Sequence, residues 1–362
     1  MDRLQLIWAD GTTAVVPALW LRDNCPCSHC KVVATSERRK LIATEPLELA
    51  PVSVVTDTSG VTVDWGNHVS HYTLDWYRAI QLDTRRHLAT PSLWGPDFTL
   101  PRFRYSELDE SVPGGRQRLI EFLSAFTSHG VACVSGVPIY QGESERFVSR
   151  WAPIRELPFG RVHDVLVDPM GYNIAHTAEA LPPHTDFPSY KWPPSGQALH
   201  MLINEVVGGD SFVVDGWRVA SELDRSELDI LASFPVPFRQ FDHGAETWTM
   251  APLLRLRPDG SIEQLRFSNQ LMQPIDPATT GIDRFYEAYH HLSTLLLAPE
   301  QQHRFRMQPG DLLVVHGHRV LHGRTAYEAS TGHRHLQDVY FEFEDLFNQL
   351  HRLSSIPARA PV

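Results

Sequence analysis

Short apolar runs bounded by turn residues fill the last two-thirds of this chain and limit its fold more than any other feature. Ala198 to Ile203, Ser211 to Asp215, Pro252 to Leu256, Gln264 to Ser268, Asp311 to Val315 and Gln337 to Phe343 read as strands. Helical stripes interrupt them: Leu119, Phe122, Leu123 and Phe126 first, then Val219, Leu223, Leu228 and Leu231, then Phe285, Ala288, Tyr289, Leu292 and Leu296. Val131 to Val134 adds a buried strand in which Cys133 is core. Many strands decorated with helices define a mainly β domain of the α+β class.

A different unit precedes it. Leu4 to Val16 alternates about Asp10-Gly11, as a hairpin does. Cys25, Cys27 and Cys30 are too tightly clustered for a disulfide framework and suit a tetrahedral Zn²⁺ that needs one more ligand. Val61 to Trp65 reads as a strand, and either His68 or His71 can reach back to the thiols. His71 is favoured, because it begins the next element and would staple the two ends of the unit together. A helical pattern runs from Thr73 to His87, and Pro91 to Pro96 then breaks periodicity. The expected division is a zinc-binding domain over 1–92 and a second domain over 97–362.

Charge and hydropathy exclude several classes. A net charge of -11 with no basic run argues against nucleic-acid binding, which requires clustered Lys and Arg. No stretch has the length of a membrane-spanning helix, and Met1 to Gln5 leads straight into alternation rather than into a signal-peptide core. Clustered thiols of this kind imply a reducing, cytoplasmic setting.

The chemistry concentrates at Pro183-His184-Thr185-Asp186-Phe187-Pro188. In an extended strand His184 and Asp186 share a face, so an imidazole and a carboxylate can hold one divalent metal while Thr185 points away. A later histidine would complete a 2-His-1-carboxylate triad, which leaves one face of Fe(II) open. His316, His318 and His322 compete for that role; His322, at the end of an apolar run beside Gly323, is the preferred one. If Arg334 lies on a strand neighbouring that of His322, its guanidinium can point above the metal and bind a carboxylate.

Taken together, these motifs resemble the γ-butyrobetaine and trimethyllysine hydroxylases, within the taurine-dioxygenase-like Fe(II)/2-oxoglutarate oxygenases. The segment Leu19-Trp20-Leu21-Arg22-Asp23-Asn24-Cys25-Pro26-Cys27-Ser28-His29-Cys30 is similar to the family's zinc site, with a closing histidine matching His71-Tyr72. Gly208 to Ser211, Val214-Asp215-Gly216 and Arg319-Val320-Leu321-His322-Gly323-Arg324 are similar to its catalytic motifs. The resemblance implies a double-stranded β-helix of jelly-roll type, His184, Asp186 and His322 as iron ligands, and 2-oxoglutarate as cosubstrate. It also implies Arg334 and Ser211 as cosubstrate contacts, a homodimer, and hydroxylation of a C–H bond with release of succinate and CO₂. Substrate positions match Phe159, His163, His176 and Tyr340 for an aromatic cage and Asn173 for an amide. Ser268 and Asn269 both lie near a second amide position.

Two of the four cage positions are histidines here, and a protonated imidazole repels a cation. The expected substrate is therefore a small zwitterion or anion such as a betaine, amino acid or aminoalkylphosphonate. Tyr172, Tyr190 and Trp192 are close enough in sequence to rebuild a cage for γ-butyrobetaine itself. A zinc-stabilised binding or regulatory protein of the same fold, without turnover, is the reading from a different class.

Overall fold

A computed structural model describes residues 2–86, 91–167, 174–242 and 244–355, and the chain divides into two units, Met1–Ala89 and Thr90–Val362. In the first unit, Arg3–Ile7 and Thr13–Pro17 pair antiparallel as the hairpin expected from sequence. Ser53–Asp57, Gly60–Asp64 and Val69–Tyr72 form a three-stranded antiparallel sheet, followed by a helix over Leu74–Arg86. Leu6, Trp8, Leu21, Val61, Val63 and Tyr72 make its core. Two aromatic side chains tie this core together, since the Trp8 indole donates to the Tyr72 carbonyl and the Tyr72 hydroxyl donates to Leu21.

The second unit is built on two sheets. The larger has the order Arg102–Arg104, Val131–Ser135, Leu312–His316, Gly196–Asn204, Arg334–Phe341 and His163–Leu166. The smaller runs His303–Phe305, Ser211–Asp215, Val320–Arg324 and Leu181–His184. Strand alternation sorts the apolar side chains into separate cores. Ala198, Val314, Val339 and Phe341 face helices Gly115–His129 and Phe343–Ser355 on the outside of the larger sheet. Leu199, Met201, Leu313 and Leu336 point the other way and meet Val213 and Val320 of the smaller sheet. Behind the smaller sheet, helices Gly216–Ala220, Arg225–Ser233 and Ile282–Leu297 cover a third core.

Two local readings change. The stripe from Val219 to Leu231 is two helices, because Asp224 and Glu227 form a capping box that starts a new one at Arg225. Leu181–His184 carries two prolines and so lacks strand composition, yet it is tolerated as an edge strand, where missing amide donors cost least.

One buried ion pair fixes the turn leading into Val320–Arg324. Arg319 gives Asp215 two hydrogen bonds, at 3.1 and 2.8 Å, and donates to the carbonyls of Ser92 and Ser128. Asp215 also accepts from the backbone of Trp94, Trp217 and Arg218. These contacts account for two of the motifs singled out in sequence. Asp215→Ala leaves Arg319 buried without its anion and is expected to lower stability by about 3–5 kcal/mol, read as a reduced urea midpoint.

Candidate active site

Strand pairing brings the first two histidines together. His322 stands directly opposite His184 across the Val320–Arg324 and Leu181–His184 strands, with ring centroids 4.4 Å apart. Gly323 permits this approach: a Cβ there would lie 2.4 Å from the Leu181 carbonyl and 2.5 Å from the Phe212 ring. The strand ends at His184, so Asp186 projects from the following turn rather than from the strand itself. That turn is held by Thr185, whose amide donates to Phe267 while its hydroxyl accepts from the Phe267 amide. Phe187 adopts φ 51°, the left-handed region, a backbone strain of about 1–3 kcal/mol that persists where it aims a functional group.

The ligating atoms of His184, Asp186 and His322 all lie within 4.8 Å of one another. His184 Nε2 is 3.2 Å from one carboxylate oxygen and His322 Nε2 is 3.8 Å from the other. Adjacent ligands of a six-coordinate metal stand about 3 Å apart, so the three atoms fit one ion with little movement. The His184 Nδ1–H donates to the Pro182 carbonyl, which leaves the Nε2 lone pair directed at the site. Burial pushes His322 down to about 4, which keeps it neutral and able to ligate. Burial alone would raise Asp186, but His322, His184 and the Tyr340 hydroxyl outweigh it and hold the carboxyl below its ordinary value.

A polar network positions the carboxylate. Gln197 and Tyr340 face each other across adjacent strands, and each donates to Asp186 Oδ2 at 2.7 Å. Burial, with Asp186 and Asp338 nearby, keeps the Tyr340 hydroxyl protonated as a donor. His316 and His318 do not join the metal group. His316 stacks on Phe343 at 4.0 Å, and His318 donates to the Pro193 carbonyl.

The triad opens into a cavity of about 520 Å³ lined also by Ser211, Arg324, Arg334, Phe159, His163 and Tyr340. Arg334 enters from the larger sheet and His322 from the smaller, so the two are not on neighbouring strands as expected. Strand parity is responsible, since Arg334, Leu336, Asp338 and Tyr340 alternate onto the cavity face of one strand. Arg334 stacks over Tyr327, makes no hydrogen bond or ion pair among the described residues, and is pushed down to about 10 by burial and by Arg324. It is a buried cation on the cavity wall that no carboxylate among the described residues pairs.

Other expected contacts divide. His176 packs edge-on against His163 at 5.3 Å and is not among the lining residues, nor are Tyr190 and Trp192. Asn173 and Tyr172 fall outside the described residues. Ser268 lines the cavity, whereas Asn269 accepts from Tyr289. Sequence reading missed Asp338, Gln197 and Arg324, although alternation from Arg334 would have pointed to the first.

In the first unit the thiols gather round a different histidine from the one favoured. His68 Nε2 is 3.3, 3.6 and 3.7 Å from the sulfurs of Cys25, Cys27 and Cys30. His71 instead pairs with the Thr62 hydroxyl at 2.9 Å. Parity explains the exchange: Ser70 and Tyr72 point inward, so His71 points away, while His68 precedes the strand on the inward side. Ligands of a tetrahedral zinc stand about 3.5–3.8 Å apart, close to the separations here. Arg22 donates to Cys30 Sγ at 3.3 Å and also pairs with Glu45 at 3.1 Å.

Residues 91–340 match the family described as taurine catabolism dioxygenase TauD, TfdA family, which is most of the chain. The chain belongs to that dioxygenase family. Residues 1–78 also match the γ-butyrobetaine hydroxylase-like N-terminal family. A γ-butyrobetaine dioxygenase from Pseudomonas sp. (strain AK-1) is 31% identical over 96% of this chain and 92% of its own length. Its human counterpart is 28% identical over 96% and 93%, and a rat mitochondrial trimethyllysine dioxygenase is 29% identical over 96% and 84%. The asparagine oxygenase solved with Fe(II), 3-hydroxyasparagine and succinate shares the family fold, with a TM-score of 0.51 at 17% identity over 64% of this chain and 82% of that one. The non-heme iron oxygenase OrfP, solved with Fe and α-ketoglutaric acid, gives 0.52 at 16% identity over 68% and 94%. No helix among the described residues is long and apolar enough to cross a membrane.

Proposed function

We propose that this family member is an Fe(II)- and 2-oxoglutarate-dependent hydroxylase of a small zwitterionic or anionic metabolite. One observation carries the reading: an open-faced triad of His184, Asp186 and His322 shares its cavity with Arg334, a buried guanidinium that no carboxylate among the described residues pairs. The two sheets are then the halves of a double-stranded β-helix with the metal between them. Bound iron with 2-oxoglutarate and O₂ would supply oxidative decarboxylation to succinate and CO₂ coupled to hydroxylation of a C–H bond. The protein's share is to hold the cosubstrate's far carboxylate on Arg334, with Ser211 a further contact on the wall of the same cavity, and to keep water out. The test is Fe(II)-dependent succinate release from 2-oxoglutarate across a panel of betaines, amino acids and aminoalkylphosphonates. A release that no member stimulates, or that persists without iron, contradicts the reading.

The family resemblance supports a homodimer, and the tight clustering of Cys25, Cys27 and Cys30 supports a reducing compartment such as the cytoplasm. Cys25, Cys27, Cys30 and His68 would close a structural zinc site in the 1–92 domain, ahead of the 97–362 oxygenase domain. Elemental analysis of the purified protein is expected to give about one zinc per chain, and Cys27→Ser to lose it together with the thermal transition of the first unit.

A further inference from the structure

Two glutamines on the cavity wall carry amide N–H groups that the fold leaves unengaged. Gln240 lies in the strand Val236–Asp242, which pairs with Ala245–Ala251 as a hairpin, and Gln270 lies in the turn that follows Phe267. The Arg239 amide donates to the Leu271 carbonyl and Phe238 bridges to Met272, so the turn carrying Gln270 is laid against the strand carrying Gln240. Both side chains line the cavity that holds His184, Asp186 and His322. Each amide oxygen accepts from a buried serine: Ser189 donates to Gln240 Oε1 at 3.5 Å, and Ser268 donates to Gln270 Oε1 at 3.2 Å. The Ser189 hydroxyl is itself fixed by Thr247, 2.7 Å away on the second strand of the hairpin. Neither glutamine Nε2 has a hydrogen-bond acceptor among the described residues, and both residues are half-buried rather than sealed from the cavity. Arg239 also lines the cavity, but it pairs with Glu246 at 2.5 Å, so its charge is already balanced.

We propose that Gln240 and Gln270 hold the negative end of the substrate, an oxyanion of the carboxylate, sulfonate or phosphonate kind, through their amide N–H groups. This deepens the oxygenase reading and rests on it. With its carbonyl oxygen turned to a serine, each amide presents donors to the cavity, and two such amides on neighbouring segments suit a group with two or three acceptor oxygens and no hydrogen to give. A neutral end of the same size, such as a primary amide, supplies one acceptor oxygen and sets its own N–H donors against those of the glutamines. Sites built to complete hydrogen bonds with a substrate group discriminate against analogues that lack it. The two serines also tie this subsite to the metal. Ser189 follows Asp186 by three residues, and Ser268 follows Phe267, whose amide donates to the Thr185 hydroxyl. The turn that carries an iron ligand therefore also sets where the anionic end is held, while Arg334 enters from the larger sheet for the cosubstrate.

The experiment is anaerobic calorimetric titration of the Fe(II)·2-oxoglutarate protein with 4-aminobutanoate, its N-trimethyl derivative, 3-aminopropanesulfonate and 3-aminopropylphosphonate. The primary amides of the two carboxylates serve as uncharged controls. At least one oxyanion is expected to bind about tenfold more tightly, or better, than the amide that shares its cationic end. Gln240→Leu and Gln270→Leu are each expected to weaken that oxyanion about tenfold. Gln240→Glu is expected to weaken it about 100-fold or more, because like charges then meet at close range. The matching amide should change less than about threefold in Gln240→Glu, whose carboxylate can accept its N–H. A merely structural role for the glutamines would weaken oxyanion and amide alike, and that result overturns the proposal. So do equal affinities in the wild type, tighter binding of the amide, a Leu variant that binds the oxyanion as the wild type does, or binding of no oxyanion in the set. Binding of 2-oxoglutarate is read in the preceding step of the same titration: if that fails in the wild type, the oxygenase reading falls and this inference with it, whereas if it holds and the oxyanion preference is missing, only this inference falls.

Discussion

His184→Ala is expected to abolish Fe(II)-dependent succinate release while leaving the protein folded. The imidazole reaches the site from an edge strand, with Nδ1 spent on the Pro182 carbonyl and Nε2 free to ligate 3.2 Å from Asp186. Its removal leaves only one histidine and one carboxylate, too few to hold iron in an open-faced geometry. Loss of an outer contact to a ligand already costs roughly 10–100-fold in affinity or activity, so loss of the ligand itself should exceed about 100-fold. Folding should survive, because the side chain borders the cavity and carries little of the three apolar cores. The informative comparison is iron content and succinate formation against an unchanged far-ultraviolet circular dichroism spectrum. Zinc content should stay at the wild-type value, since the thiol cluster lies in the other unit.

Arg334→Met carries the second large effect, and it should fall on the cosubstrate alone. Met keeps an unbranched apolar stem like that of arginine but removes the guanidinium that faces the cavity over Tyr327. A buried charge pair with a carboxylate contributes about 2–5 kcal/mol to binding, so the half-saturating 2-oxoglutarate concentration should rise roughly 30- to 5000-fold. Stability should hold or increase, because an unpaired buried cation disappears. Iron affinity measured without 2-oxoglutarate should stay within a few-fold of wild type, since Arg334 belongs to the other sheet from His322. Undiminished use of 2-oxoglutarate by this variant would remove the cosubstrate assignment and spare the metal site.

Much of this arrangement was legible because strand periodicity is local. The strands at Ser211–Asp215 and Leu312–His316, the N-terminal hairpin and the helix over Gly115–His129 follow directly from apolar spacing. Other features depend on pairings that spacing alone does not determine. Leu181–His184 hides behind two prolines that only an edge position tolerates. The exchange of His71 for His68 turned on which strand face meets the thiols, a question of register rather than of distance along the chain. Arg334 was expected beside His322 but lies across the cavity from it, because sequential strands in this unit alternate between two sheets. Asp338 escaped notice for a related reason: one acid in an apolar strand reads as a solvent-facing residue until the strand proves covered on both sides.

The most direct test of the account is whether the metal and 2-oxoglutarate bind as one unit. Anaerobic titration should show 2-oxoglutarate binding at least about tenfold more tightly to the Fe(II)-loaded protein than to the metal-free protein, with Fe(II) gaining the same factor from 2-oxoglutarate. Equal affinity in the presence and absence of iron would contradict a shared site formed by His184, Asp186, His322 and Arg334, and with it the proposed chemistry.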